Sequence, residues 1–181
     1  MKIMVASDIH GSAKYCEQML AAFRREKAEI LLLLGDLLYH GPRNDLPEGY
    51  DPKAVIRMLN EAKEDILAVR GNCDAEVDQM VLAFPIVSMQ AVLYVNGKKC
   101  FAVHGHRENG ENPPPLPKGA ILFQGHTHIP GYGKKEGYLW MNPGSVAIPK
   151  QQSPHSYLIM EEEAATWKNL EGEPFLRLDL S

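Results

Sequence analysis

The chain has 181 residues, of which 45% are hydrophobic and 23% are charged, a composition typical of folded globular proteins and unlike that of disordered or fibrous chains. This length suits one domain with a substantial core, so we assign residues 1–181 to a single domain. The net charge of −4 argues against a broad surface for binding nucleic-acid backbones. The longest apolar run, at residues 30–34, is far too short to cross a membrane.

The three cysteines, Cys16, Cys73 and Cys100, are widely spaced and odd in number. This pattern favours free thiols in a reducing compartment over a disulfide framework. The apolar stretch at the start of the chain is also too short for the core of a signal peptide. We therefore expect a cytoplasmic protein with no membrane partner.

The first third of the sequence alternates strand and helix patterns. Apolar runs at residues 1–8, 29–36 and 65–72 predict short strands. Helical spacing of apolar residues follows Ser12 and Asp51-Pro52, which are typical signals for the start of a helix. A β-α-β-α-β order predicts right-handed crossovers and a largely parallel sheet.

Strand patterns dominate the rest of the chain, after a short helical pattern at residues 74–84. Two alternating runs flank Asn96-Gly97, the strongest short-range signal for a β-hairpin. A proline-rich loop follows at residues 111–119. Further short strands are predicted at residues 120–126, 136–142, 156–162 and 174–180. We interpret the chain as an α/β domain whose second half consists mainly of strands, some of them antiparallel.

Several of these strand patterns end in polar residues beside glycine. Because the carboxyl ends of parallel strands gather at one edge of a sheet, we expect these side chains to meet there. The residues are Asp8, His10, Asp36, Asn72, His104, His106, His126 and His128.

Carboxylates, imidazoles and an amide oxygen suit divalent ions such as Mn²⁺, Zn²⁺, Fe²⁺, Co²⁺ or Ni²⁺. The set is larger than the roughly four ligands of one zinc ion, and it fits two ions that share a bridging carboxylate. Asp36 ends the central apolar strand and is the natural bridge. Taken singly, Asp8 is better explained as a helix cap and Asn72 as a turn residue. Their joint occurrence at strand ends favours a two-metal hydrolase acting on phosphoesters or peptides.

The same residues form five motifs in a fixed order along the chain. The motifs are Asp8-x-His10, Gly35-Asp36, Gly71-Asn72-x-Asp74, His104-Gly-His106 and Gly125-His-Thr-His128. In this order they resemble the calcineurin-like metallophosphoesterase superfamily, and the segments around them are similar to those of its small bacterial phosphodiesterases. The resemblance implies a four-layer α/β/β/α sandwich of two mixed sheets flanked by helices, with the strand-rich second half as the second sheet.

The resemblance also implies how the ligands divide between two ions. One ion would be held by Asp8, His10, Asp36 and His128, and the other by Asp36, Asn72, His104 and His126. Mn²⁺ is the first choice of ion. A hydroxide bridging the two ions would attack phosphorus in line with the leaving group, and His106 would help to stabilise the charge on the phosphoryl oxygens.

Three residues near these motifs are candidates for other roles. Arg43 and His40 lie in the loop after Asp36 and could bind substrate, Arg43 through two parallel hydrogen bonds to a phosphate. A solvated loop arginine is an equal alternative. Cys73 stands where many members of the superfamily have a histidine that protonates the leaving group.

A thiol is a weak hydrogen-bond donor with an ordinary pKa of about 8.5, so Cys73 could replace that histidine only in part. We therefore expect a preference for stable leaving groups, or protonation by His106 or a water. Packing under the site is the alternative role for Cys73.

Hydrolysis of a small phosphodiester is the leading functional hypothesis. A phosphomonoesterase or protein phosphatase on the same site is the second, and a non-catalytic scaffold similar to a retromer subunit is the third. All seven expected ligands are present, which argues against the scaffold. A single-zinc peptidase lacks the HExxH helix that it would need. Exposed strand edges are compatible with a homodimer or homotetramer.

Overall fold

The computed structural model describes residues 1–180. These residues contain two α-helices and eleven strands, and the strands form two sheets. The helices are α1 (Ala13–Glu26) and α2 (Pro52–Glu61). The strands are β1 (Ile3–Ala6), β2 (Ile30–Leu33), β3 (Ile66–Ala68), β4 (Gln90–Val95), β5 (Lys98–Val103), β6 (Ala120–Phe123), β7 (Gly131–Lys135), β8 (Tyr138–Asn142), β9 (Ser156–Met160), β10 (Ala164–Asn169) and β11 (Pro174–Asp179). Short 3₁₀ turns cover Lys63–Asp65 and Glu76–Met80.

The first sheet has six strands in the order β11-β10-β9-β1-β2-β3. Strands β1, β2 and β3 are parallel to one another, as their alternation with helices predicts. Strand β9 pairs antiparallel with β1, so β9, β10 and β11 extend the first sheet. The family resemblance implied that the whole strand-rich second half forms the second sheet, and for these three strands that expectation was wrong. The reason is burial: every residue of β9 is buried, which suits a central position covered on both faces.

The second sheet has five strands in the order β4-β5-β6-β8-β7. Strands β5, β6 and β8 are parallel, while β4 and β5 form the hairpin predicted at Asn96-Gly97. Both turn residues have left-handed backbone conformations, with φ angles of 51° and 78°, as a tight hairpin turn requires. The prediction of an α/β fold with two mixed sheets is confirmed.

The layers are held together by alternating side chains. In β1, Met4 and Ala6 pack against the helices, whereas Ile3 and Val5 pack against the second sheet. On the outer face of the second sheet, Leu116 of the proline-rich loop packs against the strands. Within residues 1–180, irregular chain therefore covers part of this face.

The helices begin where their capping signals predict. The Oγ atom of Ser12 accepts a hydrogen bond of 3.3 Å from the backbone of Tyr15, and Asp51 Oδ1 accepts one of 3.0 Å from Ala54. Neither helix within residues 1–180 has the length and apolar character needed to cross a membrane. The cysteines are all free, as their spacing predicts.

Candidate metal centre

The polar residues that follow the strands are brought together at one edge of the two packed sheets. Asp8 lies just after β1, Asp36 after β2 and Asn72 after β3. In the second sheet, His104 and His106 follow β5, and His126 and His128 follow β6. The backbone N–H of His126 donates a hydrogen bond of 3.1 Å to Asp8 Oδ2, which connects the two sheets at this edge.

The backbone at this edge is strained at most of the candidate ligands. Left-handed φ angles between 49° and 65° occur at Asp8, His10, Asp36, His126 and His128. This conformation costs a residue with a side chain of order 1–3 kcal/mol, and such residues collect at functional sites. The fold therefore uses unfavourable backbone conformations to aim these side chains inward.

The first group of donor atoms is formed by Asp8, His10 and His128, which are all buried. Asp8 Oδ1 lies 3.1 Å from His128 Nε2 and 3.5 Å from His10 Nε2, and the two Nε2 atoms are 3.3 Å apart. Asp8 Oδ1 is buried and has no hydrogen-bond partner in the described chain. A buried carboxylate oxygen without a donor is a position that a cation would satisfy.

The second group is formed by Asp36, Asn72 and His104. His104 Nε2 lies 2.9 Å from Asn72 Oδ1 and 3.4 Å from Asp36 Oδ2. The same Asp36 Oδ2 atom lies 3.7 Å from His10 Nε2, which belongs to the first group. The ring of His126 is 5.1 Å from that of His104. Asp36 therefore stands between the two groups, as a bridging carboxylate would.

Three of the histidines are held with Nε2 facing the site. In each, Nδ1 lies within hydrogen-bonding distance of a backbone carbonyl, which can only accept, so Nδ1 carries the proton and Nε2 is left as a ligand. The acceptors are the carbonyl oxygens of Tyr39 for His10 (2.8 Å), Leu34 for His104 (2.7 Å) and Ile148 for His128 (2.8 Å).

The charges of the site depend on one another. Burial alone would raise the pKa of Asp8, but His10 and His128 outweigh it and hold that pKa well below its usual range. The pKa of Asp36 is lowered in the same way, mainly by His104. Conversely, Asp36 raises the pKa of His104 to about 9 against the effect of burial. Two buried, ionised carboxylates in one site need positive charge nearby, which divalent ions would supply.

Asp74 supports both groups without facing the site. Its carboxylate accepts backbone hydrogen bonds from Asp36, Leu37 and Gly71, at 2.7 to 2.8 Å. Burial raises the pKa of Asp74, an effect that these hydrogen bonds oppose. Gly71 must be glycine, because a Cβ atom there would overlap with Asp36 Oδ1.

A cavity of about 380 Å³ opens over the candidate ligands. Its lining residues are His10, Asp36, Gly41, Pro42, Arg43, Asn44, Asn72, Cys73, His126, His128 and Lys150. Arg43 therefore lies where the sequence predicts, whereas His40 is outside the lining and packs its ring edge-on against Tyr39 and Tyr50. Lys150 also lines the cavity, and its one signal in the sequence is its place shortly after the segment MNPGSV.

Cys73 and His106 flank the candidate ligands. The sulfur of Cys73 accepts a hydrogen bond of 3.2 Å from Asn72 Nδ2, and burial, followed by the effect of Asp36, raises the pKa of the thiol to about 12. The ring of His106 is 5.4 Å from that of His104 and lines a separate hollow of about 230 Å³. Burial, with the charge of His104 second, lowers the pKa of His106.

Comparison with known families and curated proteins gives consistent matches. Residues 1–165 match the model of the calcineurin-like phosphoesterase superfamily domain. Phosphodiesterase YfcE of Escherichia coli (strain K12) is 46% identical over 163 residues, which cover 90% of this chain and 89% of that protein. The probable metallophosphoesterase YsnB of Bacillus subtilis (strain 168) is 27% identical over 176 residues, covering 92% and 88%.

Solved structures show the same fold. The E. coli phosphoesterase Yfce superposes with a TM-score of 0.96 and 42% identity over the whole of both chains. Vacuolar Protein Sorting 29 from Cryptosporidium parvum superposes with a TM-score of 0.65 over 99% of this chain and 97% of that one, at 16% identity. At that identity the likeness concerns the fold alone.

Proposed function

Because the chain belongs to the calcineurin-like phosphoesterase superfamily, a family of metal-dependent hydrolases, we propose that it is a phosphodiesterase with two divalent ions. The observation that carries the proposal is the position of Asp36 Oδ2, 3.7 Å from His10 Nε2 and 3.4 Å from His104 Nε2. One carboxylate oxygen within reach of two separate donor groups is the arrangement that a two-metal hydrolase uses.

We adopt for the two ions the ligand division that the family resemblance implies. One ion would be held by Asp8, His10, Asp36 and His128, and the other by Asp36, Asn72, His104 and His126. Mixed oxygen and nitrogen ligands accommodate Mn²⁺, our first choice, and also Zn²⁺, Fe²⁺, Co²⁺ or Ni²⁺. When bound, the two ions would supply a water of lowered pKa as the nucleophile and neutralise charge on the phosphoryl oxygens.

The protein's own residues would position the substrate. Cys73 is the only thiol in the cavity lining, and the proposed reaction requires no protein nucleophile. Arg43 lines the cavity and would bind phosphoryl oxygens. His106 would act beside the second donor group, either on the phosphoryl charge or as a proton donor. The in-line attack expected from the sequence remains part of the proposal.

We propose a phosphodiester as the substrate because this chain is 46% identical to phosphodiesterase YfcE. No feature of residues 1–180 favours a phosphomonoesterase or a protein phosphatase. The likeness to Vacuolar Protein Sorting 29 concerns the fold, and the complete set of seven candidate ligands gives no support to a scaffold without activity.

The test compares chromogenic substrates with and without metal. Protein depleted of metal with a chelator should not hydrolyse bis(p-nitrophenyl) phosphate, and Mn²⁺ should restore activity. The diester should be hydrolysed with a higher kcat/KM than p-nitrophenyl phosphate. Full activity after chelation would reject the metal-dependent reading, and a clear preference for the monoester would favour the phosphomonoesterase.

Location and assembly stay predictions. We propose a cytoplasmic location on the basis of the free cysteines. Val92 and Tyr94 on the edge strand β4 are 51% and 65% exposed, which is compatible with self-association there. Light scattering coupled to gel filtration would measure the oligomeric state.

A further inference from the structure

We propose that Lys150 and Arg43 form a second anion site beside the candidate metal centre, and that the physiological diester carries another negative group on one arm. This inference deepens the proposed phosphodiesterase function and rests on it. It names a substrate class: diesters in which one esterified alcohol ends in a carboxylate or a phosphate.

Both cations line the cavity that contains the candidate ligands His10, Asp36 and His128. At about 380 Å³, the cavity is within the range of roughly 300–1,000 Å³ that small-molecule sites occupy. A phosphoryl group at the ligands would fill only part of this volume. The remainder has room for one arm of a diester, next to Lys150 and Arg43.

Apart from Asp36, no acidic residue lines the cavity to balance these two positive charges. Neither the Lys150 ammonium nor the Arg43 guanidinium makes an ion pair or a hydrogen bond within residues 1–180. Lys14, in contrast, lies 2.6 Å from Glu48. Both side chains are exposed, as other unpaired cations of the surface are, but they line a site whose one acidic lining residue is Asp36, a candidate metal ligand. An anionic group on the substrate would therefore meet two cations that no carboxylate of the lining neutralises.

The backbone around Lys150 is built to hold it at the cavity. Its N–H donates a hydrogen bond of 3.2 Å to the carbonyl of His128, and its own carbonyl accepts bonds of 3.1 and 2.6 Å from the N–H and hydroxyl of Ser153. The next two residues, Gln151 and Gln152, both have left-handed conformations with φ angles of 54° and 59°.

Few residues with a side chain have a left-handed backbone conformation in the described chain. Besides the candidate ligands and these two glutamines, only Lys27 at the end of α1 and Asn96 in the hairpin turn combine a side chain with a left-handed φ. Those two positions are ordinary places for such a conformation. The turn after Lys150 is a third such place, because the 3.1 Å hydrogen bond from the Ser153 N–H to the Lys150 carbonyl closes it as an ordinary type I′ turn.

The chemistry of the two side chains indicates an oxyanion ligand. A guanidinium binds carboxylate or phosphate through two parallel hydrogen bonds, and an ammonium adds a mobile point charge. An alternative is that both cations contact the scissile phosphoryl group. In that case loss of Lys150 would lower kcat/KM for every diester by the same factor. A second anion site would instead make the loss larger for diesters with an anionic arm.

The experiment uses three p-nitrophenyl phosphodiesters with the Mn²⁺-loaded protein. Their second alcohol is a three-carbon chain that ends in a hydroxyl, a carboxylate or a phosphate, and release of p-nitrophenolate is followed. We expect kcat/KM for at least one anionic arm to exceed that of the hydroxyl arm about tenfold, the value of one charge-assisted hydrogen bond. Comparing the carboxylate and phosphate arms identifies the preferred anion.

Lys150→Met should bring this ratio towards one, because methionine keeps the apolar stem without the charge. Lys134→Met removes an exposed lysine of β7 outside the cavity and should keep the wild-type ratio. Non-hydrolysable phosphonate analogues with the same arms, titrated by calorimetry, give a second readout that does not depend on turnover. The anionic analogues should bind wild type more tightly than the hydroxyl analogue, and Lys150→Met should remove the difference.

The outcomes separate this inference from the function on which it rests. If wild type hydrolyses all three diesters with equal kcat/KM, or prefers the hydroxyl arm, the anionic substrate class is wrong and the phosphodiesterase stands. If Lys150→Met lowers all three values by the same factor, Lys150 binds the scissile group and the second anion site is wrong. If the metal-loaded protein hydrolyses none of them, the proposed function itself fails, and this inference with it.

Discussion

The carboxylate of Asp74 accepts a hydrogen bond from the backbone N–H of Asp36, with 2.8 Å between Asp74 Oδ2 and Asp36 N. The same oxygen accepts the N–H of Gly71 at 2.7 Å. One buried side chain thus connects the loop that carries Asp36 with the loop that carries Asn72. Groups that orient metal ligands without touching the ion contribute strongly to metal affinity.

We predict that Asp74→Asn weakens metal binding and lowers stability. An asparagine has a single acceptor oxygen, and its amide N–H groups would face backbone N–H groups of the two loops. The affinity for Mn²⁺ should fall about 10- to 100-fold. The free energy of unfolding should fall by about 1–3 kcal/mol, because at least one buried donor loses its partner. Calorimetric metal titration and urea denaturation measure the two effects.

Asp78→Asn is the matched control for Asp74→Asn. Asp78 Oδ2 also accepts a backbone hydrogen bond, of 2.8 Å from Ala75, but this bond is exposed and water can replace it. The control should keep wild-type metal affinity and change stability by less than about 0.5 kcal/mol. Wild-type metal affinity in Asp74→Asn would show that the two loops hold their positions without the carboxylate.

The proposed bridging role of Asp36 predicts that Asp36→Asn loses both metal ions. The amide can still accept the 2.7 Å hydrogen bond from the backbone of Cys73, so the loop should keep its shape. It cannot supply the negative charge that two cations would share. Elemental analysis after gel filtration should find two metal ions per chain in wild type and in the exposed loop variant Asp45→Asn. Two ions still bound in Asp36→Asn would reject the bridge.

The sequence was sufficient to predict that the polar residues after several strands lie close together, because their signal is local. Asp8, Asp36 and Asn72 each follow an apolar run, and parallel strands bring such positions to one edge. Strand pairing is decided by long-range packing instead. Strand β9 lies beside β1 because all its residues are buried, and its sequence alone does not state which sheet will bury them.

The details that position the site were also beyond the reach of the sequence. His126 and His128 have left-handed backbone conformations although they are not glycines. Their residue type therefore does not predict this conformation. Lys150 reaches the cavity through a hydrogen bond to the distant His128 carbonyl. From the sequence, Asp74 is compatible with a helix cap or with a residue that orients its neighbours. The three backbone hydrogen bonds that its carboxylate accepts support the orienting role.

Cys73→His should improve the hydrolysis of esters with poor leaving groups. A thiol is a weak hydrogen-bond donor, whereas an imidazolium can donate a proton efficiently. We expect the kcat/KM ratio of an alkyl diester to a p-nitrophenyl diester to rise about tenfold or more, within the usual range for general acid catalysis. Steady-state kinetics with both substrates gives the ratio.

Room for the new ring is the main structural question. A Cβ atom on Gly41 would already lie 3.1 Å from the Cys73 sulfur, so the loop after Asp36 must shift to admit an imidazole. Cys73→Ser changes the polarity at similar size and should leave the ratio as in wild type. An unchanged ratio in Cys73→His, with intact metal content, would contradict an acid deficit and favour a packing role for Cys73.

The carboxylate of Glu26 joins helix α1 to strands β9 and β10. Its Oε1 atom accepts hydrogen bonds of 2.7 Å from the Tyr157 hydroxyl and 2.9 Å from Lys168 Nζ. Burial alone would raise the pKa of Glu26, but the bonds from Lys168 and Tyr157 outweigh it, and the pKa is lowered. The folded state therefore favours the ionised carboxylate more than the unfolded state does.

Glu26→Gln should lower stability in a pH-dependent manner. Because the folded pKa of Glu26 is lowered, its contribution is fully present above the unfolded pKa of about 4.3 and is lost as pH falls through the folded pKa. We expect wild type to exceed Glu26→Gln by about 1 kcal/mol at neutral pH. The difference should shrink as the pH falls below about 4 in urea denaturation. Glu162→Gln, at an exposed position, should match wild type at every pH. A difference for Glu26→Gln that persists unchanged at low pH would mean that packing, and not the carboxylate charge, stabilises this contact.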